Sequence, residues 1–486
     1  MKNRMNNKLT KKQIIYGIAF SIAIGIVSFI PILVQNNGQY MDYGDYYLQY
    51  IPFIKEMKRM FISGGGWSWN SFLGDSFFNA YSYYTVFNPF AWIVALFPMS
   101  KILYATFFVT LLKFSVSTIT AMLYINLFCN NKRYTLIGGL LYTFSGFTIV
   151  NTNFYFFLDV IAIFPLMLYG LELVLANEKK YIYVIAVCIN AFINIYFFVS
   201  SCILIVVYTF FRIKVYKVSK LKENIRIIMR IAILSILGMG LAGISLTPSF
   251  LAILRSGKAV DSLGSQIGLM YWPQNILERI RIFLSPIESG RYHAFFDCSS
   301  WSSTACYLPI FGSFLVIQGC LTRKNWIRNI SIFLSICLFI PFLNAAFNLF
   351  TSTDYTRWLY GLVLIFSLVT VLSLEELEKG TFIVNKRLLF IYTSFTFCIL
   401  LVPVIIYVLY NYGVVLVNKF VSANQSDYYI GLSKTIPILI LTVLNFVGLG
   451  IIFSKKCKSN IIVLIVGVGC CLNYFVYNST NYDMNI

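Results

Sequence analysis

Charge is scarce in this chain. Only 12% of its 486 residues are Asp, Glu, Lys or Arg, roughly half the share in an ordinary globular domain. A water-facing surface of normal composition cannot be assembled from so few charges, so a soluble protein is excluded. Histidine occurs once, at His293, which rules out a His-based catalytic triad and any multi-histidine metal site. His293 itself, in Arg291-Tyr292-His293, reads as a loop residue. The 11 cysteines show no metal-ligand spacing, and the residues leave a divalent-cation requirement open. Gly64-Gly65-Gly66 lacks the Lys-Ser/Thr ending of a phosphate loop and reads as a flexible tether.

What the chain has instead is apolar length. Residues of the apolar and aromatic kinds make up 59% of it, in stretches near the roughly 20 residues that a helix needs to cross a bilayer. Thirteen spans are predicted: 13–34, 104–128, 136–150, 157–176, 181–196, 197–211, 227–253, 307–321, 330–350, 357–374, 388–410, 435–453 and 461–477. The expectation is an all-α polytopic membrane protein whose residues 1–486 form one transmembrane unit. The first stretch follows a basic N-terminus as a signal peptide would. It is too long for a signal core and has no small-residue cleavage site, so it reads as a retained span.

Basic residues test this layout. Most of the 38 Lys and Arg fall in alternate loops, while every Asp falls in the intervening ones or, for Asp159, at a helix end beside them. By the positive-inside rule the basic loops are cytoplasmic, as is the N-terminus, and Asn478 to Ile486 lie outside. The net charge of +20 is then a topology signal rather than a nucleic-acid footprint. Both flanks of 181–211 are basic, which requires a hairpin turning near Asn194.

Chemistry is expected in the acid-bearing loops, chiefly 35–103 and 254–306, with 411–434 as a third. The first places Asp42 and Asp45 just beyond the opening span and continues into an amphipathic stretch, Gln49 to Ile62. Val86 to Pro98 is apolar but too short to span, as suits a segment lying in the membrane interface. Ionisable residues in spans are costly and mark interior sites. Asp159 could serve a site or the dipole of its helix; Lys113 could pair with Asp159, meet a phosphate, or snorkel. Arg357 beside Trp358, and Arg255, are placed to hold an anion or to anchor the interface, whereas Arg230 reads as a topology residue. Cys298 and Cys306, in the second loop, could bridge or remain thiols.

The run Gly44-Asp45, Gln49-Tyr50, Trp69-Asn70, Leu73-Gly74, Tyr83-Tyr84 and Asn88-Pro89-Phe90 resembles the first outer loop of the YfhO family of bacterial membrane proteins. Leu141-Tyr142 with Ser145-Gly146, Phe157-Leu158-Asp159 with Pro165-Leu166, Thr247-Pro248 with Arg255, and Arg357-Trp358 continue the resemblance in order. It covers nearly the whole chain, although only the ordered combination is specific.

The resemblance implies a GT-C-class glycosyltransferase that takes a sugar, of hexosyl type, from a polyprenyl-phosphate carrier on the extracytoplasmic face. Gram-positive relatives place it on a cell-envelope polymer such as teichoic acid. Asp45 would be the catalytic base and Asp42 its substitute, the bland alternative being a solvated loop acid. Asp42, Gln49, Lys113, Asp159, Arg255 and Arg357 are expected around the substrate, with no metal site. Family members usually continue into an extracytoplasmic C-terminal domain, which is expected to be missing after Ile486. A transporter or flippase of a lipid-linked sugar is the competing expectation, and a non-catalytic scaffold a third. A transporter would show repeated halves and Gly/Pro-broken helices meeting at the midplane, and neither is evident.

Overall fold

The computed structural model describes residues 8–40, 44–69, 71, 74–216, 221–255, 271, 273–284, 304–411, 425–454 and 458–482. The end of the bundle that carries Asp45 is called upper below, and the end that carries Lys132 and Lys379 lower.

The first helix, α1 (Lys11–Gln35), opens with a capping box in which Thr10 and Gln13 each accept the other's backbone N–H. The long first loop is largely structured. A π-helical turn (Tyr46–Tyr50) runs into α2 (Ile51–Ser63). Gly64, at φ 65°, ends that helix in the left-handed region. Strands β1 (Trp67–Ser68) and β2 (Asp75–Ser76) pair antiparallel, and Phe77 N–H donates to Gly66 O at 3.0 Å. The glycine run is therefore a helix cap and hairpin entry, not the slack tether expected. Helices α3 (Phe77–Tyr81) and α4 (Pro89–Ala95) complete the loop.

Helices α5 (Ile102–Ile125), α6 (Lys132–Thr143), α7 (Gly146–Val150), α8 (Phe157–Leu175), α9 (Lys180–Ile193) and α10 (Ile195–Ile213) follow. The expected hairpin is present: Asn194 is extended and its Oδ1 accepts from Tyr196 N–H at 3.0 Å, capping α10 as α9 ends. Next come α11 (Leu221–Leu241), α12 (Gly243–Arg255), α13 (Pro273–Leu284), α14 (Phe314–Thr322), α15 (Trp326–Phe339) and α16 (Pro341–Ala346). The last four are α17 (Leu359–Glu378), α18 (Lys386–Asn411), α19 (Gln425–Phe453) and α20 (Ser459–Tyr482).

Among the described residues, 8 helices are long and apolar enough to cross a membrane alone: α1, α5, α8, α10, α11, α17, α19 and α20. Helices α9 and α15, and the first part of α12, are apolar but shorter. Several of the thirteen expected spans are broken, each for a local reason. Span 307–321 is helical only from Phe314, because Pro309 offers no N–H while Ile310 and Gly312 take φ of 69° and 50°. Non-helical backbone at membrane depth is tolerated where protein surrounds it, and residues 304–311 are buried. This stretch breaks span 136–150 as well: a Cβ on Gly146 would lie 2.4 Å from the Tyr307 ring, and Gly146 N–H donates to Tyr307 O. Span 330–350 is cut at Ile340, held extended before Pro341. Cys306 is a free, buried thiol; its possible partner Cys298, like His293, lies outside the described residues.

Helices α5, α6, α8 and α17 form the buried centre, and α1 packs along α20, so both ends of the chain close one side. Asn478 Nδ2 donates to Ser28 O at 2.7 Å across that seam. Near the lower end a second buried charge pair, absent from the expectations, ties α8 to α10. Arg212 Nε and Nη2 reach the two Glu172 oxygens at 2.6 and 3.0 Å, and Tyr208 OH donates to Glu172 Oε1 at 2.5 Å. The bidentate geometry satisfies the carboxylate that burial would otherwise penalise.

Candidate functional site

The upper end is organised from below by one ion pair. Lys113 of α5 meets Asp159 of α8 at 2.7 Å, and both side chains are 0% exposed. Lys113 also donates to Tyr155 O at 2.9 Å and stands 3.3 Å from the Tyr155 ring centre. Asp159 accepts from Asn88 Nδ2 at 2.6 Å, and Asn88 Oδ1 caps α4 through Phe90 N–H. The first loop is thereby fastened to the bundle through the first residue of its Asn88-Pro89-Phe90 motif. Of the three readings open for Lys113, the geometry shows pairing with Asp159.

Above this pair lies a cluster of buried tyrosines. Tyr50 and Tyr155 rings are 4.4 Å apart, Tyr40 and Tyr46 5.2 Å, and Tyr46 OH shares a 2.7 Å hydrogen bond with Thr106 Oγ1. In the π-helical turn Tyr46 and Tyr50 point inward, while Tyr47, Leu48 and Gln49 are exposed. Asp45, at the start of that turn, is half-exposed. Wide turns of this kind re-aim side chains and concentrate at functional sites. The anchored tyrosines hold the carboxylate at the surface.

The opposite rim carries Arg357. Asn344 Nδ2 donates to Thr353 O and Tyr355 O at 2.6 and 3.0 Å, and Asn348 Nδ2 to Tyr355 O at 2.7 Å. These two asparagines shape the turn that presents the arginine. Its guanidinium lies 4.1 Å from the Tyr355 ring centre, 5.1 Å from Phe157 and 5.5 Å from Tyr196. Among the described residues no carboxylate pairs with it, and its buried Nε has no hydrogen-bond partner. Trp358 does not act as an interfacial anchor: it is 0% exposed, stacks on Phe347 at 4.2 Å and donates to Asn344 Oδ1 at 2.7 Å.

Tyr83 and Tyr84 connect the two rims. Tyr84 OH donates to Gln49 Oε1 at 3.3 Å, and its ring stacks on Phe156 at 4.6 Å. Phe156 meets Phe157, one of the rings around Arg357, at 4.9 Å. Burial raises the Tyr84 hydroxyl pKa well above its usual value, with the Asp45 charge adding to the shift. Burial likewise raises Tyr83, helped by Tyr196 and opposed by the Arg357 charge. Both phenols are therefore neutral donors at physiological pH, set between an acid and a cation on a floor of aromatic rings.

Of the expected site residues, the structure brings Asp45, Gln49 and Arg357 to one surface and sets Lys113 and Asp159 beneath it. Asp42 lies outside the described residues, and Arg255 ends α12 with no described side-chain position. Residue-by-residue reading gave Tyr83, Tyr84, Tyr196 and Asn348 no role. Tyr196 OH donates to Asn348 Oδ1 at 2.9 Å, a link between distant segments that no local pattern announces. Among the described residues no group of three or more His, Cys, Asp or Glu could hold a metal ion.

Comparison with solved structures places the same chain path in a known fold. The crystal structure of ArnT from Cupriavidus metallidurans bound to undecaprenyl phosphate aligns over 97% of this chain and 78% of that one, with a TM-score of 0.51 and 10% sequence identity. The fold is thus that of a GT-C membrane protein. No curated protein matches the sequence. The family model described as bacterial membrane protein YfhO matches residues 18–485, and the chain belongs to that family, as a multi-pass membrane protein.

Proposed function

We propose that this protein is a glycosyltransferase that moves a sugar from a polyprenyl-phosphate carrier to a hydroxyl of a cell-envelope polymer, on the extracytoplasmic side of the membrane. The observation that carries the reading is that an accessible carboxylate and a guanidinium with no carboxylate partner among the described residues share one aromatic floor. Asp45 accepts the proton of the acceptor hydroxyl as that oxygen attacks the anomeric carbon. The bond between that carbon and the phosphate oxygen breaks, and carrier phosphate leaves with the electron pair. Arg357, whose planar fork matches phosphate oxygens, stabilises the charge that grows there. The ring of Tyr84, backed by the buried Phe156 and Phe157, suits the apolar face of a sugar, while Gln49 and the phenol hydroxyls suit its rim. Lys113 and Asp159 position the loop from below.

The family and the fold support a carrier-lipid donor, since the neighbouring ArnT structure holds undecaprenyl phosphate. A teichoic-acid-like acceptor follows from the resemblance to Gram-positive relatives, with Asp42 and Arg255 as further expected contacts. The test is purified protein in liposomes with polyprenyl-phosphate hexoses and a polyol-phosphate acceptor, scored for free carrier phosphate. Release by the wild type, lost in Asp45→Asn, is the expected result. Full release by Asp45→Asn removes Asp45 as the base, and translocation of intact donor without release identifies a flippase.

A further inference from the structure

A second candidate site lies on another side of the bundle. Helices α14, α15 and α18 stand apart and enclose a lateral cleft of about 690 Å³, within the ~300–1,000 Å³ typical of ligand sites. One face of α15 lines it from end to end: Arg328, Ser331, Ile332, Ser335, Ile336 and Phe339 recur at three- and four-residue spacing. Leu388, Ile391, Tyr392 and Phe395 of α18 form the facing wall. Ser331 and Ser335 donate to carbonyls of their own helix at 2.8 Å, so neither hydroxyl on this face of α15 is an open donor.

The two ends of the cleft differ. At the upper end α13 closes it: Phe283 stacks on Phe339 at 6.0 Å and meets Phe366, while Tyr392 OH donates to Leu284 O at 3.3 Å. At the lower end stands Arg328, the one charged side chain in the lining among the described residues. Its neighbour Arg323 is committed to Glu376 at 2.5 Å, whereas among the described residues no carboxylate pairs with Arg328. An apolar slot closed above and cationic below selects a molecule with long hydrocarbon chains and an anionic head at the lower membrane surface. Basic pockets between membrane helices bind such heads.

We propose that this cleft binds an anionic phospholipid from the leaflet at the lower end, its acyl chains along α15 and α18 and its phosphate on Arg328. The site is separate from the rims that carry Asp45 and Arg357, and the proposal does not rest on the transferase reading.

The test uses the whole chain in nanodiscs of equimolar phosphatidylglycerol and phosphatidylcholine, moved into detergent that strips loosely held lipid and weighed by native mass spectrometry. The wild type is expected to keep phosphatidylglycerol. Arg328→Gln should lower its preference over phosphatidylcholine about fivefold, the effect of one basic residue at a membrane surface, while Arg328→Lys keeps the preference. Ser335→Trp should expel the retained lipid of either kind without moving the thermal transition. Equal retention of phosphatidylcholine, no retained lipid, preferential capture of added undecaprenyl phosphate, or an unchanged preference in Arg328→Gln overturns the proposal. The wild-type arm decides alone should a variant fail to fold.

Discussion

Arg357 and Lys113 are both cations near the upper end, yet their surroundings give them opposite duties. Arg357 is half-buried among rings with no carboxylate among the described residues to neutralise it, so its charge is available to a ligand. Under the transferase reading, Arg357→Gln should lower kcat/KM for the carrier-linked sugar by about 10²–10³, the range for losing one preorganised charge-stabilising group. Arg357→Lys should recover only part, because an ammonium cannot bind phosphate as a fork; steady-state transfer assays check both. Lys113 is fully spent on Asp159 and on the Tyr155 carbonyl. Removing one partner strands a buried charge, so Lys113→Met should cost about 3–5 kcal/mol of stability. The double variant Lys113→Met with Asp159→Leu should regain most of that, measured by thermal unfolding in detergent.

Helix contacts in this bundle depend on small residues at close approach. A Cβ on Gly170 of α8 would lie 2.7 Å from the Tyr183 Cα of α9, backbone that cannot step aside without separating the two helices. Without a strong hydrophobic drive inside the bilayer, such contacts supply much of the packing. Gly170→Ala should therefore destabilise by about 1–3 kcal/mol, the usual cost of overpacking, and lower the unfolding temperature in detergent. The non-helical run before Phe314 works in the same close-fitting manner, with Tyr307 against Gly146. It is packed between α13, α18, α19 and α20, where Cys306 N–H donates to Ile282 O, Ile310 N–H to Asn445 Oδ1 and Ser313 N–H to Tyr392 OH, protein partners instead of lipid.

For the molecule as a whole, function depends on which side the upper end faces. The transferase proposal puts it on the extracytoplasmic side, the side that the charge pattern predicts, where the carrier-linked sugar would be displayed. A cysteine introduced at Gly66 should react with a membrane-impermeant maleimide added to intact cells, and one introduced at Lys379 should react only after permeabilisation, both read above the signal of the native thiols. Reaction of the Gly66 cysteine only after permeabilisation would put Asp45 on the wrong face and end the transferase proposal.

Membrane class, the position of most helices, the turn at Asn194 and the ordered family motifs were readable in one dimension. Each rests on the free energy of placing consecutive residues in hydrocarbon or water, or on capping that acts within three or four positions. The partners of the charged side chains were not readable in that way. Arg212 reads as one more lower-loop cation until α8 and α10 bring Glu172, 40 residues away, against it. Asn88 and Asp159 are 71 residues apart, and their contact depends on how α4 settles over α8. Tyr83 and Tyr84 join Asp45 to Arg357 only because the first loop folds down onto the bundle. Packing decides these matters, since a buried charge must find a partner and several sequence positions are chemically able to supply one.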